Sequence, residues 1–250
     1  MPHRGLSVGL LVMIFPVAAT LAPQAEVHYN RVVGPSREQL IAARRRMVET
    51  QLRARGIADE RVLAAFVDVP RERFVPPDQA DRAFNDAPLP IGCEQTISQP
   101  YIVAYMVEHL AVAPDHRVLD VGAGSGYQTA ILARLCRHVY AIERLAELAV
   151  RAEATLAELA VDNVTLAVGD GSVGWPEHAP YDRIIAGAAG PDVPDEWLDQ
   201  LTDDGRIVAP VGPMGMQEVV LVQKRGPRAS RRSLCGVRFV KLLGQSAWRH

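Results

Sequence analysis

The sequence predicts a Rossmann-like α/β fold, built on a mostly parallel, doubly wound sheet with an antiparallel hairpin at its C-terminal end. From residue 117 onwards, short apolar segments that favour strands alternate with helical segments, an order typical of a parallel sheet covered on both faces. The last two predicted strands, 206–211 and 218–223, have no helix between them, which indicates an antiparallel pair. Residues 36–98 carry helical patterns, so a helical preface precedes the sheet.

The N-terminal residues 1–30 stand apart from this fold. Residues 1–4 are positively charged, and the nearly uncharged run 5–25 that follows has the layout of a signal peptide. Pro16 and Pro23 interrupt the run, and its strongly apolar part is shorter than the roughly 20 residues of a spanning helix, so we expect no stable membrane span. Two interpretations stay open: a signal that makes the protein exported or membrane-associated, and an unstructured extension of a cytoplasmic protein. In either case, we expect residues 36–250 to form a single domain.

Two helices are predicted in the preface. Ser36 is a suitable N-cap for the first helix, which ends at Gly56 and carries an arginine run at 44–46. On an amphipathic helix such a run usually forms a solvated face, and we interpret it so. The second helix begins near Asp59 and ends before Pro70.

The sheet region is predicted element by element from hydrophobic periodicity. The predicted strands are 117–121, 138–142, 164–168, 182–186, 206–211 and 218–223. The predicted helices are 101–110, 128–135, 145–160 and 196–201. A chain of 250 residues with 48% apolar composition can form one substantial core, which agrees with a single domain.

Composition and charge exclude several classes of protein. The chain has 27 Lys and Arg against 29 Asp and Glu, a formal net charge of −2, so a nucleic-acid partner is not expected. Its three cysteines are far apart, with no CxxC pair and no neighbouring histidine at metal-ligand spacing. Neither a disulfide framework nor a metal site is therefore predicted.

The clearest functional signal is a glycine-rich loop directly after the first strand of the sheet. Residues 118–127 read Val-Leu-Asp-Val-Gly-Ala-Gly-Ser-Gly-Tyr, with Gly122, Gly124 and Gly126 in G-x-G-x-G spacing. Glycines at such a turn let a nucleotide-like ligand approach the backbone and the N-terminus of the next helix. The spacing differs from the G-x-G-x-x-G of pyrophosphate binders. The carboxylate of Asp120 would repel a pyrophosphate, but it suits a cationic sulfonium or ammonium group.

Two further acidic residues follow the next two strands. Glu143 ends one of them, where a carboxylate can accept hydrogen bonds from the two ribose hydroxyls of an adenosine. Asp170 lies in a Gly-Asp-Gly turn with Gly171 and can accept a hydrogen bond from the adenine amino group. Carboxylates at three consecutive strand ends predict one adenosine pocket, and with the expected cationic group they indicate an S-adenosylmethionine site.

Several longer stretches of the chain match the pattern of one protein family. These stretches are 92–100 (Gly-Cys-Glu-Gln-Thr-Ile-Ser-Gln-Pro), 118–127, 139–144, 169–171, 174–176, 179–182 and 205–212. On these residues the chain resembles the protein-L-isoaspartate O-methyltransferases, which are class I S-adenosylmethionine-dependent methyltransferases, over about residues 38–248. The Gln-Thr-Ile-Ser-Gln-Pro segment discriminates best, because other methyltransferases share the glycine loop but not this segment.

The resemblance implies both a fold and an activity. It implies a class I methyltransferase that esterifies the free α-carboxylate of L-isoaspartyl residues in damaged proteins and peptides, after which a succinimide forms and its hydrolysis restores some normal aspartate. Ser98 matches the proposed active-site residue of the family. The preceding Gln95, Thr96 and Ile97 would close over the cofactor. We expect a monomer that acts in the cytoplasm on isoaspartyl proteins.

Two alternatives stay open at this point. One is a methyltransferase of the same fold that acts on a small molecule or another protein group, and the other is a cofactor-binding protein without turnover. A carboxylate acceptor needs no general base, since its unperturbed pKa of about 4 leaves it ionised at neutral pH. The sequence departs from the family at Glu94, at Gly187 and at Lys241, which stands where the family has proline.

Overall fold

The structure is a computed structural model and describes residues 35–249. The α-helices of these residues are α1 (Arg37–Met47), α2 (Glu60–Asp68), α3 (Pro100–Leu110), α4 (Tyr127–Ala133), α5 (Ala146–Glu158) and α6 (Asp195–Asp199). The strands are β1 (Leu89–Gly92), β2 (Gln95–Ile97), β3 (Arg117–Val121), β4 (His138–Glu143), β5 (Val164–Val168), β6 (Tyr181–Ala186), β7 (Leu201–Val211), β8 (Gln217–Arg225) and β9 (Arg228–Val237).

Seven strands form one sheet, in the order β5-β4-β3-β6-β7-β8-β9. The pairs from β5 to β7 are parallel, and β8 and β9 are added antiparallel. The predicted Rossmann-like fold class with a C-terminal antiparallel hairpin is therefore confirmed. The chain runs outward from β3 to β5 and returns on the other side of β3 with β6. Ligands of open α/β sheets bind at such a switch point, outside the carboxyl ends of the strands.

The first helical segment begins at Ser36 and stops at Gly56, as the sequence predicts, but only its first part, α1, is an α-helix. Ser36 is its N-cap and forms a capping box with Gln39. After α1 the chain continues through a π turn, Val48–Leu52, and a 3₁₀ turn, Arg53–Arg55. It stops at Gly56, whose φ of +94° lies in the left-handed region that glycine favours.

The expectation of a solvated face for the arginine run at 44–46 is wrong for Arg44. The other two arginines are exposed, but Arg44 is buried. Its Nη1 donates hydrogen bonds to the carbonyl oxygens of Val67 and Asp68, at 2.8 and 3.0 Å. These carbonyls lie at the end of α2, where they lack partners within the helix, so the arginine caps α2.

The preface also contains a small sheet, whereas the sequence predicted helices and a covering loop. β1 and β2 pair antiparallel across a turn in which Cys93 and Glu94 have φ values of +52° and +57°. The strands have only 4 and 3 residues, which is too short for a hydrophobic alternation to mark them. The second strand of the hairpin places residues 95–98 directly before the start of α3.

The sheet has one strand more than the sequence analysis predicts. β9 follows a turn at Gly226 and pairs with β8 along its whole length. Leu234, Cys235 and Val237 near its end pack against the core, but residues 228–233 are mostly basic or polar and exposed, so no alternation of apolar residues marks it. Edge strands commonly carry such side chains, because they discourage pairing with another chain. The strand β7 also begins earlier than predicted, at Leu201, because α6 ends at Asp199.

Two apolar layers cover the sheet. One layer includes Phe66 of the preface and Leu110 of α3, and the other includes Trp197 of α6. The neighbouring β3 residues Val118 and Leu119 belong to different layers, as the period of two along a strand requires. Because both faces are covered, the ends of the strands are left as the place for a site.

The predictions for residues 1–30, a signal or an extension, lie outside the described residues. The predicted domain boundary before residue 36 stays a prediction. Among residues 35–249, no helix combines the length and the apolar character needed to cross a bilayer.

Candidate active site

A cleft opens at the carboxyl ends of β3, β4 and β6. It consists of three adjoining cavities of about 150, 40 and 170 Å³. Thr96 and Gly187 line all three cavities, and Ser98 lines two of them. The cleft therefore runs from Glu143 at one end, past the glycine loop, to residues 236–240 at the other.

The glycine loop forms the floor of the cleft. Gly122 and Gly124 line it, and their φ values of +77° and +56° suit glycine. The amides of Gly122 and Ala123 donate to the Ile142 carbonyl at 2.8 and 3.1 Å, which ties the loop to β4. A Cβ atom at Gly187 would lie 2.7 Å from the Gly122 carbonyl oxygen. The loops after β3 and β6 thus touch backbone to backbone.

Gly126 supports the loop from behind. It is the N-cap of α4 with a φ of +85°, and it is buried outside the residues that line the cleft. A Cβ atom at Gly126 would lie 3.2 Å from the Cβ of Ala152 on α5. The glycine therefore allows α5 to pack closely against the loop.

Glu143 lines the cleft at the end of β4. The residue is 6% exposed. Its Oε2 accepts a hydrogen bond from the Gly124 amide at 2.8 Å, and its Oε1 accepts one from the Leu145 amide at 2.9 Å. Each carboxylate oxygen can accept a second hydrogen bond. Two hydroxyl groups of a ribose can therefore still donate to Glu143.

Asp120 lies behind the glycine loop, and it is not among the residues that line the cleft. Its side chain is fully buried and accepts hydrogen bonds from Gln128 Nε2 at 2.7 Å and from Thr129 Oγ1 at 2.6 Å. Burial raises the pKa of Asp120 to about 6, against the opposing effect of these two bonds. Gln128 does line the cleft. Asp120 therefore acts on the cleft indirectly, because it accepts a hydrogen bond from the Gln128 side-chain amide and so orients it.

Asp170 anchors the C-terminal segment. Its Oδ1 accepts hydrogen bonds from the amide and the hydroxyl of Ser172, at 2.9 and 2.7 Å, and its Oδ2 accepts one from the Gln245 amide at 2.8 Å. Partial burial raises the pKa of Asp170, but these bonds outweigh it and leave the pKa below its usual value. The neighbouring Gly171 does line the cleft, and a Cβ atom there would lie 2.6 Å from Val121 Cγ1.

Residues 95–98 form a second wall of the cleft. Gln95 and Thr96 line the part near Glu143, and Ser98 lines the part near residues 236–240. Ile97 is 5% exposed and anchors this wall in the core. Within residues 35–249, the hydroxyls of Thr96 and Ser98 have no hydrogen-bond partner and so are free to donate.

The segment after β9 completes the cleft. Ala189 donates its amide to the Val240 carbonyl and accepts from the Leu242 amide, both at 2.8 Å. Lys241 between them lines the cleft and is exposed. The lysine that replaces the family's proline thus keeps the backbone pairing and adds a cation at the rim. Glu94 is exposed in the β1–β2 turn and is not among the cleft residues.

The sequence analysis missed two side chains that belong to this site. Gln128 follows the last glycine by two residues, and its place in the first turn of α4 was the available signal. Arg71 is fully buried in the preface, and its Nη2 donates to the Ser98 carbonyl at 2.9 Å. Nothing in the sequence around Arg71 distinguishes it from the exposed Arg73 two residues later.

A wider groove of about 740 Å³ lies elsewhere, beside α1 and residues 159–163. Charged residues of both signs line it, among them Arg37, Asp68 and Asp162. It has no glycine in its lining, whereas the smaller cleft combines left-handed glycines with the Glu143 carboxylate, which backbone amides hold in place. We therefore assign the functional site to the smaller cleft.

The chain is similar in sequence to proteins named protein-L-isoaspartate O-methyltransferase. The enzyme of that name from Methanoregula boonei is 52% identical over 205 residues, which are 82% of this chain and 94% of the relative. The one from Methylorubrum populi is 54% identical over 203 residues, 81% of this chain and 95% of the relative.

Solved structures agree with these relatives. One protein-L-isoaspartate O-methyltransferase superposes with a TM-score of 0.73 at 27% identity, covering 81% of this chain and 67% of that chain. A putative protein-L-isoaspartate O-methyltransferase from Plasmodium falciparum, solved in complex with S-adenosyl-L-homocysteine, gives a TM-score of 0.71. At 24% identity, over 80% of this chain and 98% of that chain, it supports the fold alone.

The family model of the protein-L-isoaspartate(D-aspartate) O-methyltransferases matches residues 43–247. The match includes the glycine loop, Glu143, Ser98 and the segment after β9, which together line the cleft. The chain therefore belongs to the protein-L-isoaspartate(D-aspartate) O-methyltransferase family.

Proposed function

We propose that this chain transfers a methyl group from S-adenosylmethionine to the free α-carboxylate of L-isoaspartyl residues in damaged proteins and peptides, and so starts their repair through a succinimide. The proposal rests on the fact that the three cavities of the cleft adjoin one another. Glu143 and the glycine loop lie at one end, and the free hydroxyl of Ser98 lies towards the other. Because the cavities share Thr96 and Gly187 in their linings, a cofactor and an acceptor can lie next to each other.

The residues at the Glu143 end fit S-adenosylmethionine. The Glu143 carboxylate can accept hydrogen bonds from a ribose diol, and the bare backbone at Gly122 and Gly124 allows close approach. Ile142 and Leu242 offer apolar surface on which an adenine ring can pack. When bound, this cofactor supplies a methyl group on a positively charged sulfur. Glu143 and the Asp120 behind the floor are negative groups that suit such a cation.

The other predicted cofactor residues support the pocket in this proposal. Gln95, Thr96 and Ile97 form the wall that covers the cofactor. Asp120 acts through Gln128, and Asp170 acts by holding the chain at Gln245. Gly126 and Gly171 act by their lack of a side chain, since a Cβ atom at either would press on its neighbours.

The work of the chain on the acceptor is positioning. An acceptor carboxylate has an unperturbed pKa of about 4, so it is ionised at neutral pH and needs no general base. The hydroxyls of Thr96 and Ser98 can donate hydrogen bonds to it and hold one oxygen in line with the methyl carbon. Such orientation contributes on the order of several kcal/mol to lowering the barrier.

A carboxylate acceptor is favoured over an amine or a hydroxyl by the lining of the cleft. Transfer to an amine or hydroxyl is helped by a general base. Of the described residues that line the Ser98 end, none is a histidine, aspartate or glutamate. Turnover is favoured over binding alone, because Ser98 is present and its hydroxyl is free. We also propose that the chain acts as a monomer, since it supplies every wall of the cleft, and in the cytoplasm, where the cofactor is made.

The proposal is tested by methyl transfer from labelled S-adenosylmethionine. Acceptors would be an isoaspartyl peptide, small carboxylic acids and nucleic acid, each at equal concentration. The proposal expects label in the peptide as a base-labile methyl ester and little in the others. Label in a small acid or in nucleic acid alone would support the other-acceptor alternative, and cofactor binding without any label would support a binding protein.

A further inference from the structure

Arg71 is an arginine buried without a carboxylate partner. It is 0% exposed, although arginine is rarely fully buried unless it is paired. Its Nε donates to the Ala83 carbonyl at 2.8 Å, and its Nη2 donates to the Ser98 carbonyl at 2.9 Å. Within residues 35–249, its Nη1 has no hydrogen-bond partner and no carboxylate pairs with the guanidinium. The fold thus buries a positive charge in order to hold two backbone carbonyls.

The same guanidinium also contacts the helix that follows the glycine loop. Its Cζ lies 4.8 Å from the ring centroid of Tyr127, the first residue of α4. This ring is 1% exposed and packs edge-on against Phe66 and Phe74, with centroids 5.9 and 5.6 Å away. Tyr127 also lines the cleft. Arg71 therefore contacts both the wall formed by residues 95–98 and the helix that follows the glycine loop.

We propose that Arg71 is a positioning residue for methyl transfer, which sets the place of Ser98 relative to the glycine loop. The inference rests on the proposed function of the cleft. In-line transfer requires the reacting atoms to be about 3–3.5 Å apart, and an error of about 1 Å can lower the rate by about 100-fold. Since Arg71 holds the Ser98 backbone directly, loss of this bond should lower kcat beyond what a loss of stability explains.

The planar guanidinium suits this role better than an ammonium group. Its donors have fixed directions, so one rigid group can hold the carbonyls of Ala83 and Ser98 at the same time. A lysine would offer one compact charge on a flexible stem. Arg71→Lys should therefore keep the charge but lose the fixed geometry.

Arg44 provides a control with one difference, since its Nε lies 3.8 Å from Glu72 Oε1, whereas Arg71 has no carboxylate partner among residues 35–249. It is 8% exposed, and its guanidinium also donates to two backbone carbonyls, those of Val67 and Asp68. Both carbonyls lie at the end of α2, and Arg44 is not among the residues that line the cleft. Replacing either arginine by methionine removes a buried guanidinium, and two backbone carbonyls then lose their hydrogen-bond donor. Only the Arg71 replacement removes a hydrogen bond to the wall that contains Ser98.

The test compares the wild type, Arg71→Met and Arg44→Met. Each is assayed at saturating S-adenosylmethionine with an isoaspartyl peptide, its thermal unfolding is recorded, and amide hydrogen exchange is followed by mass spectrometry. We expect Tm to fall in both variants, in Arg44→Met also because Glu72 loses its partner. We expect kcat to fall about tenfold or more in Arg71→Met and to stay within about twofold in Arg44→Met. Residues 93–99 should exchange faster in Arg71→Met alone.

Two results would overturn the inference. One is equal kcat in the Arg71 and Arg44 variants, and the other is unchanged exchange of residues 93–99 in the Arg71 variant. If Arg71→Met does not fold, Arg71→Lys and Arg44→Lys replace the methionine pair, with the lower kcat expected for Arg71→Lys. A wild type that methylates no isoaspartyl peptide would instead contradict the proposed function, and the exchange comparison would still decide whether Arg71 holds the Ser98 segment.

Discussion

The carboxylate of Glu143 accepts a hydrogen bond from the amide of Gly124 at 2.8 Å, so the end of β4 and the glycine loop hold each other in place. The residue that we expect to bind the ribose therefore also builds the floor on which the cofactor lies. Its second oxygen is held by the Leu145 amide. A ligand that donates to Glu143 meets a group whose orientation is already set, which reduces the ordering cost of binding.

Replacement of Glu143 by alanine should weaken cofactor binding. Hydrogen bonds to a charged group contribute about 1.5–3 kcal/mol, so we expect the KM for S-adenosylmethionine to rise about tenfold or more. Steady-state kinetics with varied cofactor at saturating peptide measures it. Glu153→Ala, at an exposed position of α5, is the control and should leave the KM unchanged. An unchanged KM in Glu143→Ala would remove this residue from the cofactor site.

Replacement of Ser98 by alanine should lower kcat and leave cofactor affinity nearly unchanged. The hydroxyl is free and lines the acceptor end of the cleft, so its hydrogen bond should be made mainly in the transition state. Kinetics with both substrates varied separates the two parameters. Ser230→Ala on the exposed edge strand is the control. A loss confined to cofactor affinity would make Ser98 part of the cofactor cover, and no effect would exclude it from the site.

The raised pKa of Asp120 should make the protein less stable as pH rises, the opposite of what most carboxylates do. Its pKa rises from 3.8 unfolded to about 6 folded, so between these values the folded state binds more protons and stability falls as pH rises. The shift corresponds to about 3 kcal/mol. Asp120→Asn lacks this titration, so its stability relative to the wild type should increase by most of that amount between pH 4 and pH 7. Denaturant unfolding across this range measures the difference, and parallel pH profiles for the two proteins would contradict the assignment.

Replacement of Gly126 by alanine should destabilise the protein through the glycine loop. The new side chain would adopt a φ of +85° and press on Ala152 at 3.2 Å, so we expect a loss of about 1–3 kcal/mol. Gly236→Ala on β9 is the control, since a Cβ atom there would meet nothing within 4 Å, and it should change stability by less than about 0.5 kcal/mol. Equal effects of the two replacements would mean that Gly126 is not held in this conformation.

The strands of the parallel part of the sheet were predictable because each is a short, mainly apolar run that ends in turn residues. β3 and β5 have the predicted bounds for this reason. β9 was not predictable, because it is an edge strand whose first six residues, 228–233, are exposed and mostly polar. The β1–β2 hairpin was missed because so short a pair owes its place to packing against the rest of the fold.

The site was predictable where its residues form a local pattern and not where they depend on distant neighbours. The glycine loop and Glu143 lie where their spacing predicts. The placement of Asp170 depends on Gln245, 75 residues away in the chain, whose amide donates a hydrogen bond to Asp170 Oδ2. Likewise, Arg71 donates a hydrogen bond to the carbonyl of Ser98, 27 residues later in the chain, and no spacing in the sequence indicates that contact.

The central claim is tested most directly with two peptides that differ only in one linkage, isoaspartyl in one and aspartyl in the other. Both carry ionised carboxylates of similar pKa, so only the geometry around Ser98 can separate them. The measurement is kcat/KM for base-labile methyl transfer from labelled S-adenosylmethionine to each peptide. The account predicts ester formation on the isoaspartyl peptide and almost none on its twin, whereas equal rates on the two, or no ester on either, would contradict it.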